Sequence, residues 1–167
     1  TVSTLEVPKA SDIELPSSRI TIPSSLKDFL SDDLEERLNH AYGKSFPDVA
    51  RALLRDFSSP PDLVAFPDSE NDLKNIVDWA DENNIAVVPY GGGSSVCGGV
   101  ETSVSEDYSG VISLDLRNLN KILEIDKESR AARIQAGILG PDLESSLKEH
   151  GLTMRHYPQS FELSTLG

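Results

Sequence analysis

Cysteine is almost missing from this chain. Cys97 is the single thiol among 167 residues, which excludes an internal disulfide framework and any metal site built from cysteines of this chain. Positive charge is scarce as well: 15 basic residues stand against 28 acidic ones, for a formal net charge of -13. Broad electrostatic attraction to nucleic acid or to an anionic membrane is thereby disfavoured, and any anion must be held locally. No apolar run approaches the ~20 residues needed to span a bilayer, and the first residues carry neither the basic segment nor the apolar stretch of a secretion signal. These absences fit a reducing compartment, and the expectation is an intracellular, cytoplasmic protein or an already processed chain.

What is present suits a folded unit: 38% of the residues are apolar, within the range of ordinary soluble domains long enough to bury a core. Residues 1–25 carry Pro8, Pro16 and Pro23 with little periodicity and read as an extended arm. Residues 26–59 read as a helical lead-in. There "SDDLEERLNHAYG" sets Leu34, Leu38 and Ala41 on one face with Gly43 at its end, and "SFPDVARALLRDF" sets Val49, Leu53 and Leu54 on one side behind Pro47. From residue 60 the pattern changes to mixed strands and helices. "DLVAF", a helix over "SENDLKNIVDWADENN" begun by Ser69 and Asp72, and "IAVVP" predict a β-α-β unit over 62–89 with parallel strands. "GVISLDL", "KILEID" and "AARIQA" predict further strands, the last two a hairpin across "KESR". "GPDLESSLKEHG" predicts a helix with Pro141 in its first turn and Gly151 at its end.

Directly behind the second strand comes "VVPYGGGSSVCGG", in which Gly91, Gly92, Gly93, Gly98 and Gly99 surround Ser94 and Ser95. Glycine admits positive φ and close approach to the main chain, so such a loop can gather amide N–H groups into an anion-binding nest. Two familiar phosphate loops are excluded. No lysine falls between Lys74 and Lys121, as a P-loop would need, and Val96 occupies the third glycine position of a dinucleotide fingerprint. The residues alone leave two readings, an anion cradle and a flexible surface loop.

The order of that loop, "GVISLDLRNLNKILEID" and "AARIQAGILGPDLESSLKEHGLTMRHYPQSFELSTLG" resembles the FAD-binding fold of the vanillyl-alcohol-oxidase superfamily, and within it the alkyldihydroxyacetonephosphate synthase branch, from about Glu36 to Gly167. The resemblance implies an α+β fold of the PCMH type, present as its N-terminal portion over 60–167, with the substrate and cap domain absent. It implies that Pro89, Tyr90, Gly91, Gly92, Gly93, Ser94, Ser95 and Val96 wrap the FAD pyrophosphate. A second segment, with Pro158, Gln159, Ser160, Ser164, Thr165 and Gly167, is implied to touch the cofactor; Gln159 replaces an aspartate of the animal enzymes. Many relatives bind flavin covalently through a loop histidine where this chain has Ser94, and His40, His150 and His156 all lie elsewhere, so the implied FAD is noncovalent.

The activity implied is exchange of the acyl chain of acyl-dihydroxyacetone phosphate for a fatty alcohol in ether-lipid synthesis. The partners implied are FAD, a lipid or small-molecule substrate in the absent domain, a peripheral membrane contact and a second copy in a homodimer. No catalytic residue of this chain is implied. Two rivals remain: an FAD-linked oxidoreductase acting on a 2-hydroxy acid such as D-lactate or glycolate, and a binding-incompetent, non-enzymatic fragment.

Other conspicuous residues receive blander readings. Cys97 is expected as small loop filler rather than a redox partner, because no cation or base flanks it. Arg155, His156 and Tyr157 are expected to cover the end of a sheet, and Trp79 to pack in the core or on a further domain. The acidic runs Asp32–Asp33, Glu35–Glu36 and Asp81–Glu82 are expected as solvated helix faces rather than metal ligands.

Overall fold

The computed structural model describes residues 8–167. Residues 1–7 of the expected arm lie outside the described part. From Pro8 the chain is mostly extended, but beyond Ser18 it is packed. Arg19 forms a forked pair with Asp62, with its Nη2 2.7 Å from Oδ2, and Ile20 and Ile22 lie against the core.

The first strand, β1 (Leu30–Ser31), leads into helix α1 (Leu34–Asn39). Asp33 caps the helix by accepting from the Glu35 and Glu36 amides. The helix expected to run to Gly43 stops four residues earlier, at Asn39. His40, Ala41, Tyr42 and Gly43 are all buried, and the chain turns inward there instead of continuing along a surface helix. In α2 (Phe46–Leu53), Ser45 and Asp48 form a capping box around Pro47. The expected apolar side of α2 faces outward: Val49 is 46% exposed and Leu54 68%, whereas Asp48 is buried. Asp48 can be buried because Ser45 N–H and the Arg51 guanidinium both donate to its carboxylate.

The main sheet follows. Strands β2 (Leu63–Ala65), β3 (Ile85–Tyr90) and β4 (Gly110–Asp115) join β1 in the order β1-β2-β4-β3, with β1 antiparallel and the rest parallel. β2 and β3 run parallel as expected for a β-α-β unit, but they do not touch, because β4 inserts between them. All six residues of β4 are buried, which suits a strand with a neighbour on each side. Pro89 can stand in β3 because that strand is an edge and needs no donor on its outer side. Helix α3 (Glu70–Glu82), capped by Ser69, places Ile76 and Ala80 in a core with Leu63, Ala65, Ile112 and Leu114, and Trp79 and Leu73 pack at its margin. Val77, next to Ile76, is 41% exposed.

The hairpin of β5 (Ile122–Asp126) and β6 (Ala131–Ile134) forms where expected. Its Ile122, Ile125 and Ile134 pack on a second small core made by Ile138 with Leu143 and Leu147 of α4 (Gly140–Glu149). Gly151, at φ 72°, ends that helix in the left-handed conformation open to glycine. This mixed helix and strand architecture is the α+β fold anticipated from sequence.

Candidate functional site

β3 and β4 are parallel, so the glycine loop leaves the same end of the sheet as the turn after Asp115. That end carries a cavity of about 440 Å³, a size typical of sites for organic ligands. One wall is the loop, from Pro89 to Ser95. The opposite wall is the last segment, with Pro158, Ser164, Thr165 and Gly167, and α4 contributes Gly140, Leu143 and Glu144.

The last segment is held by main-chain bonds to the stretch before α4. Gly140 N donates to Ser164 O at 3.1 Å, Leu166 N to Ile138 O at 3.0 Å and Gly167 N to Ala136 O at 2.9 Å. From there it presses on the glycines. A Cβ at Gly91 would stand 2.0 Å from Thr165 Oγ1, and one at Gly92 would stand 1.5 Å from Leu163 O. Part of the glycine requirement therefore comes from the chain's own backbone, seventy residues later, and the reading as a flexible surface loop is overturned. Gly93, at φ 66°, has a separate reason, the left-handed turn itself, and a Cβ there would also meet the Tyr90 hydroxyl at 2.1 Å.

Packing on one side leaves the amides of the loop unspent. Among the described residues, none of the main-chain N–H groups of Gly91, Gly92, Gly93, Ser94, Ser95 and Val96 donates to a protein acceptor. Consecutive unpaired amides of this kind form a concave donor array suited to an anion. Ser94 Oγ, 2.9 Å from Ser164 Oγ, adds a hydroxyl shared between the two walls. Among the described residues, no lysine or arginine lines the cavity, and the one carboxylate, Glu144, is occupied by Thr153 Oγ1 at 2.7 Å and Met154 N at 2.9 Å. Any phosphate here would be held by neutral donors, as the acidic composition demands.

Behind the loop sits a buried ionic group that the sequence did not reveal. His40 Nδ1 donates to Glu36 O at 2.7 Å, and Nε2 lies 3.0 Å from Asp115 Oδ2. Both nitrogens thus face acceptors. Burial works to raise the Asp115 carboxyl, but bonds from His40 and from the side chain and amide of Arg117 outweigh it and hold Asp115 below the usual carboxylate range. The Tyr90 ring stacks at a tilt on His40, 4.3 Å between centroids, and burial raises its hydroxyl above the ordinary value, which keeps it a neutral donor to Asn39 O at 3.1 Å.

Of the residues singled out from sequence, Pro89, Tyr90, Gly91, Gly92, Gly93, Ser94, Ser95, Pro158, Ser164, Thr165 and Gly167 come together on the cavity. Val96 is 69% exposed and its side chain lies off the wall. Gln159 and Ser160 also lie off the wall, in the turn that Ser160 closes by accepting from the Leu163 and Ser164 amides. Sequence reasoning missed Gly140, Leu143 and Glu144. Gly140 did carry a signal as the residue opening α4, where a Cβ would strike the Phe161 ring at 2.6 Å. His156 lines the cavity while Arg155 and Tyr157 are exposed, and Cys97 is exposed at the loop's outer end. Among the described residues no cluster of metal-ligating side chains occurs, and no helix is long and apolar enough to cross a membrane.

A family model described as an FAD binding domain matches residues 61–167. The chain is 39% identical over 142 residues to the alkyldihydroxyacetonephosphate synthase of Dictyostelium discoideum, a match spanning 85% of this chain and 23% of that protein. It is 40% identical over 141 residues to the synthase of the same name from Trypanosoma brucei brucei, again 23% of that protein. A glycolate oxidase subunit of Bacillus subtilis is 32% identical over 111 residues. Among solved structures, an alkyldihydroxyacetonephosphate synthase superposes with a TM-score of 0.87 at 35% identity, over 96% of this chain and 32% of that one. A cholesterol oxidase of Brevibacterium sterolicum shares the fold at a TM-score of 0.52 and 23% identity. The chain thus spans about a quarter of the length of the curated relatives it matches.

Proposed function

This chain belongs to the FAD-binding domain family, and we propose that it is the cofactor-holding part of an alkyldihydroxyacetonephosphate synthase-like flavoprotein. FAD is its cofactor. The observation that carries the site is the run of unpaired amides from Gly91 to Ser95 on the wall of a 440 Å³ cavity. That array fits a pyrophosphate: it offers many neutral donors at short spacing, and the low positive charge of the chain leaves few alternatives. In this reading the amides of Gly91, Gly92, Gly93, Ser94, Ser95 and Val96 take the pyrophosphate, and Ser94, Ser164 and Thr165 supply hydroxyls along the remainder of the cofactor. Pro158, Gln159, Ser160 and Gly167 shape the facing segment.

Ser94 has no nucleophilic nitrogen, and among the described residues the histidine lining the cavity is His156, from the facing segment. In this reading the flavin is noncovalent, supported by Ser94 standing at the loop position. When bound, FAD supplies the redox-active ring, while this chain supplies binding and orientation and excludes water from the cradle. The whole protein, in this reading, exchanges the acyl chain of acyl-dihydroxyacetone phosphate for a fatty alcohol, with substrate contacts made outside this chain. Identity of 39–40% over about 140 residues with the synthases, against 32% over 111 with the glycolate oxidase subunit, favours ether-bond formation over 2-hydroxy-acid oxidation.

The test is a visible spectrum of the intact protein followed by acid precipitation. A two-band flavin spectrum with the colour released to the supernatant is expected, together with ether-bond formation and no net reduction of flavin by D-lactate or glycolate. Colour retained in the pellet would overturn the noncovalent assignment. Reduction by a hydroxy acid would overturn the synthase.

A further inference from the structure

The family match begins at residue 61, so the α1–α2 corner, residues 39–44, lies outside it. Yet this corner touches the glycine loop at both ends. At the near end, Asn39 O accepts from the Tyr90 hydroxyl at 3.1 Å, and that hydroxyl is the atom a Cβ at Gly93 would meet at 2.1 Å. At the far end, Lys44 N donates to Ser95 O at 2.7 Å. In a trans peptide the C=O and N–H point in opposite directions, so the Lys44 bond sets the direction of the Val96 amide.

Gly43 makes the far contact possible. A Cβ there would lie 2.2 Å from Ser95 O and 3.1 Å from Ser95 C, both main-chain atoms. Gly43 does not adopt positive φ, so its requirement is one of space and not of backbone conformation. The corner is itself fixed to the sheet, because His40 spans Glu36 O in α1 and Asp115 Oδ2 at the end of β4.

We propose that this corner is the support that holds the glycine loop in its anion-binding shape, with Gly43 as a positioning residue for FAD. The proposal rests on the reading of 91–96 as the pyrophosphate cradle. Gly43 touches no part of the cavity; it acts by letting the Ser95 carbonyl reach Lys44. An alanine there pushes the Ser95 peptide outward and rotates the donors beside it.

Two measurements on the intact protein test this. The first is FAD affinity, by flavin fluorescence quenching, for the wild type and Gly43→Ala. Affinity is expected to fall about tenfold or more in a flavin-free protein that is still folded at the assay temperature, although its unfolding temperature falls with the overpacking, as at Gly92. Unchanged affinity would overturn the proposal. The second is hydrogen exchange with and without FAD, read by mass spectrometry over 41–46 and 89–96 in the wild type, which stays informative if the variant fails to fold. Slower exchange in both segments is expected. Slowing over 89–96 alone would overturn the supporting role of the corner, and FAD uptake with no slowing over 89–96 would overturn the cradle reading itself.

Discussion

Ser94 Oγ and Ser164 Oγ lie 2.9 Å apart across 70 residues of sequence, and this hydroxyl pair ties the glycine loop to the segment that closes the cavity. The two walls are therefore one unit, in which a change on either side reaches the other. Ser94→Ala and Ser164→Ala are each expected to weaken FAD binding by about 1 kcal/mol. The double variant is expected to lose little more than either single one, because residues sharing a bond are non-additive. Strict additivity in a fluorescence titration of the four proteins would show that the hydroxyls act independently.

Gly92 faces Leu163 O so closely that any side chain must displace main chain. Gly92→Ala is expected to lower stability by roughly 1–3 kcal/mol even without FAD, as overpacking does, read from denaturant unfolding. Gly92→Asp is expected to show the same steric loss plus a further loss of FAD affinity from its charge. The contact with Leu163 means that the alanine control is needed to isolate the electrostatic part.

Asp62 is buried beneath the arm. Burial would raise its carboxyl, but bonds from the Arg19 side chain and from the amides of Arg19 and Val111 outweigh this and hold it below the ordinary value. A carboxyl depressed in the folded state binds fewer protons there than when unfolded. Its contribution is present above the unfolded value of about 3.9 and is lost as pH falls through the folded one. Urea unfolding followed from about pH 6 to about pH 2 is expected to show this loss, and Asp62→Asn to be less stable at neutral pH with a shallower acid limb.

Cys97 is exposed, with its sulfur 3.7 Å from Ser95 Oγ, a contact too weak to order the loop. Cys97→Ser is expected to leave FAD affinity within about twofold and the flavin spectrum unchanged. A shifted spectrum or an altered flavin potential would restore the redox-partner reading.

The glycine loop was legible because a run of consecutive glycines marks composition over a short window, and the resemblance supplied its ligand. The hairpin across Lys127–Arg130, α4, Pro47 in the first turn of α2 and the Ser69 cap of α3 were legible for a related reason: each depends on residues within a few positions of one another. Gly43 and Gly140 were not recognised for their roles, although they are glycines for the same steric reason as Gly92. Each answers to a neighbour distant in sequence, Ser95 in one case and Phe161 in the other. That the apolar side of α2 faces outward was not legible, because amphipathic spacing says which residues share a side, while burial of that helix was decided by Asp48 and Arg51.

Local sequence determined the elements, their caps and the presence of a backbone cradle for an anion, since propensity, capping and glycine spacing act over a few residues. Tertiary structure alone decided that β4 separates β2 from β3, that residues 163–167 close the cradle, and that His40, Gly43 and Lys44 stand behind it. The physical reason is that strand order, steric closeness and the partner of a buried charge are properties of pairs, and their members here lie from about 25 to 75 residues apart.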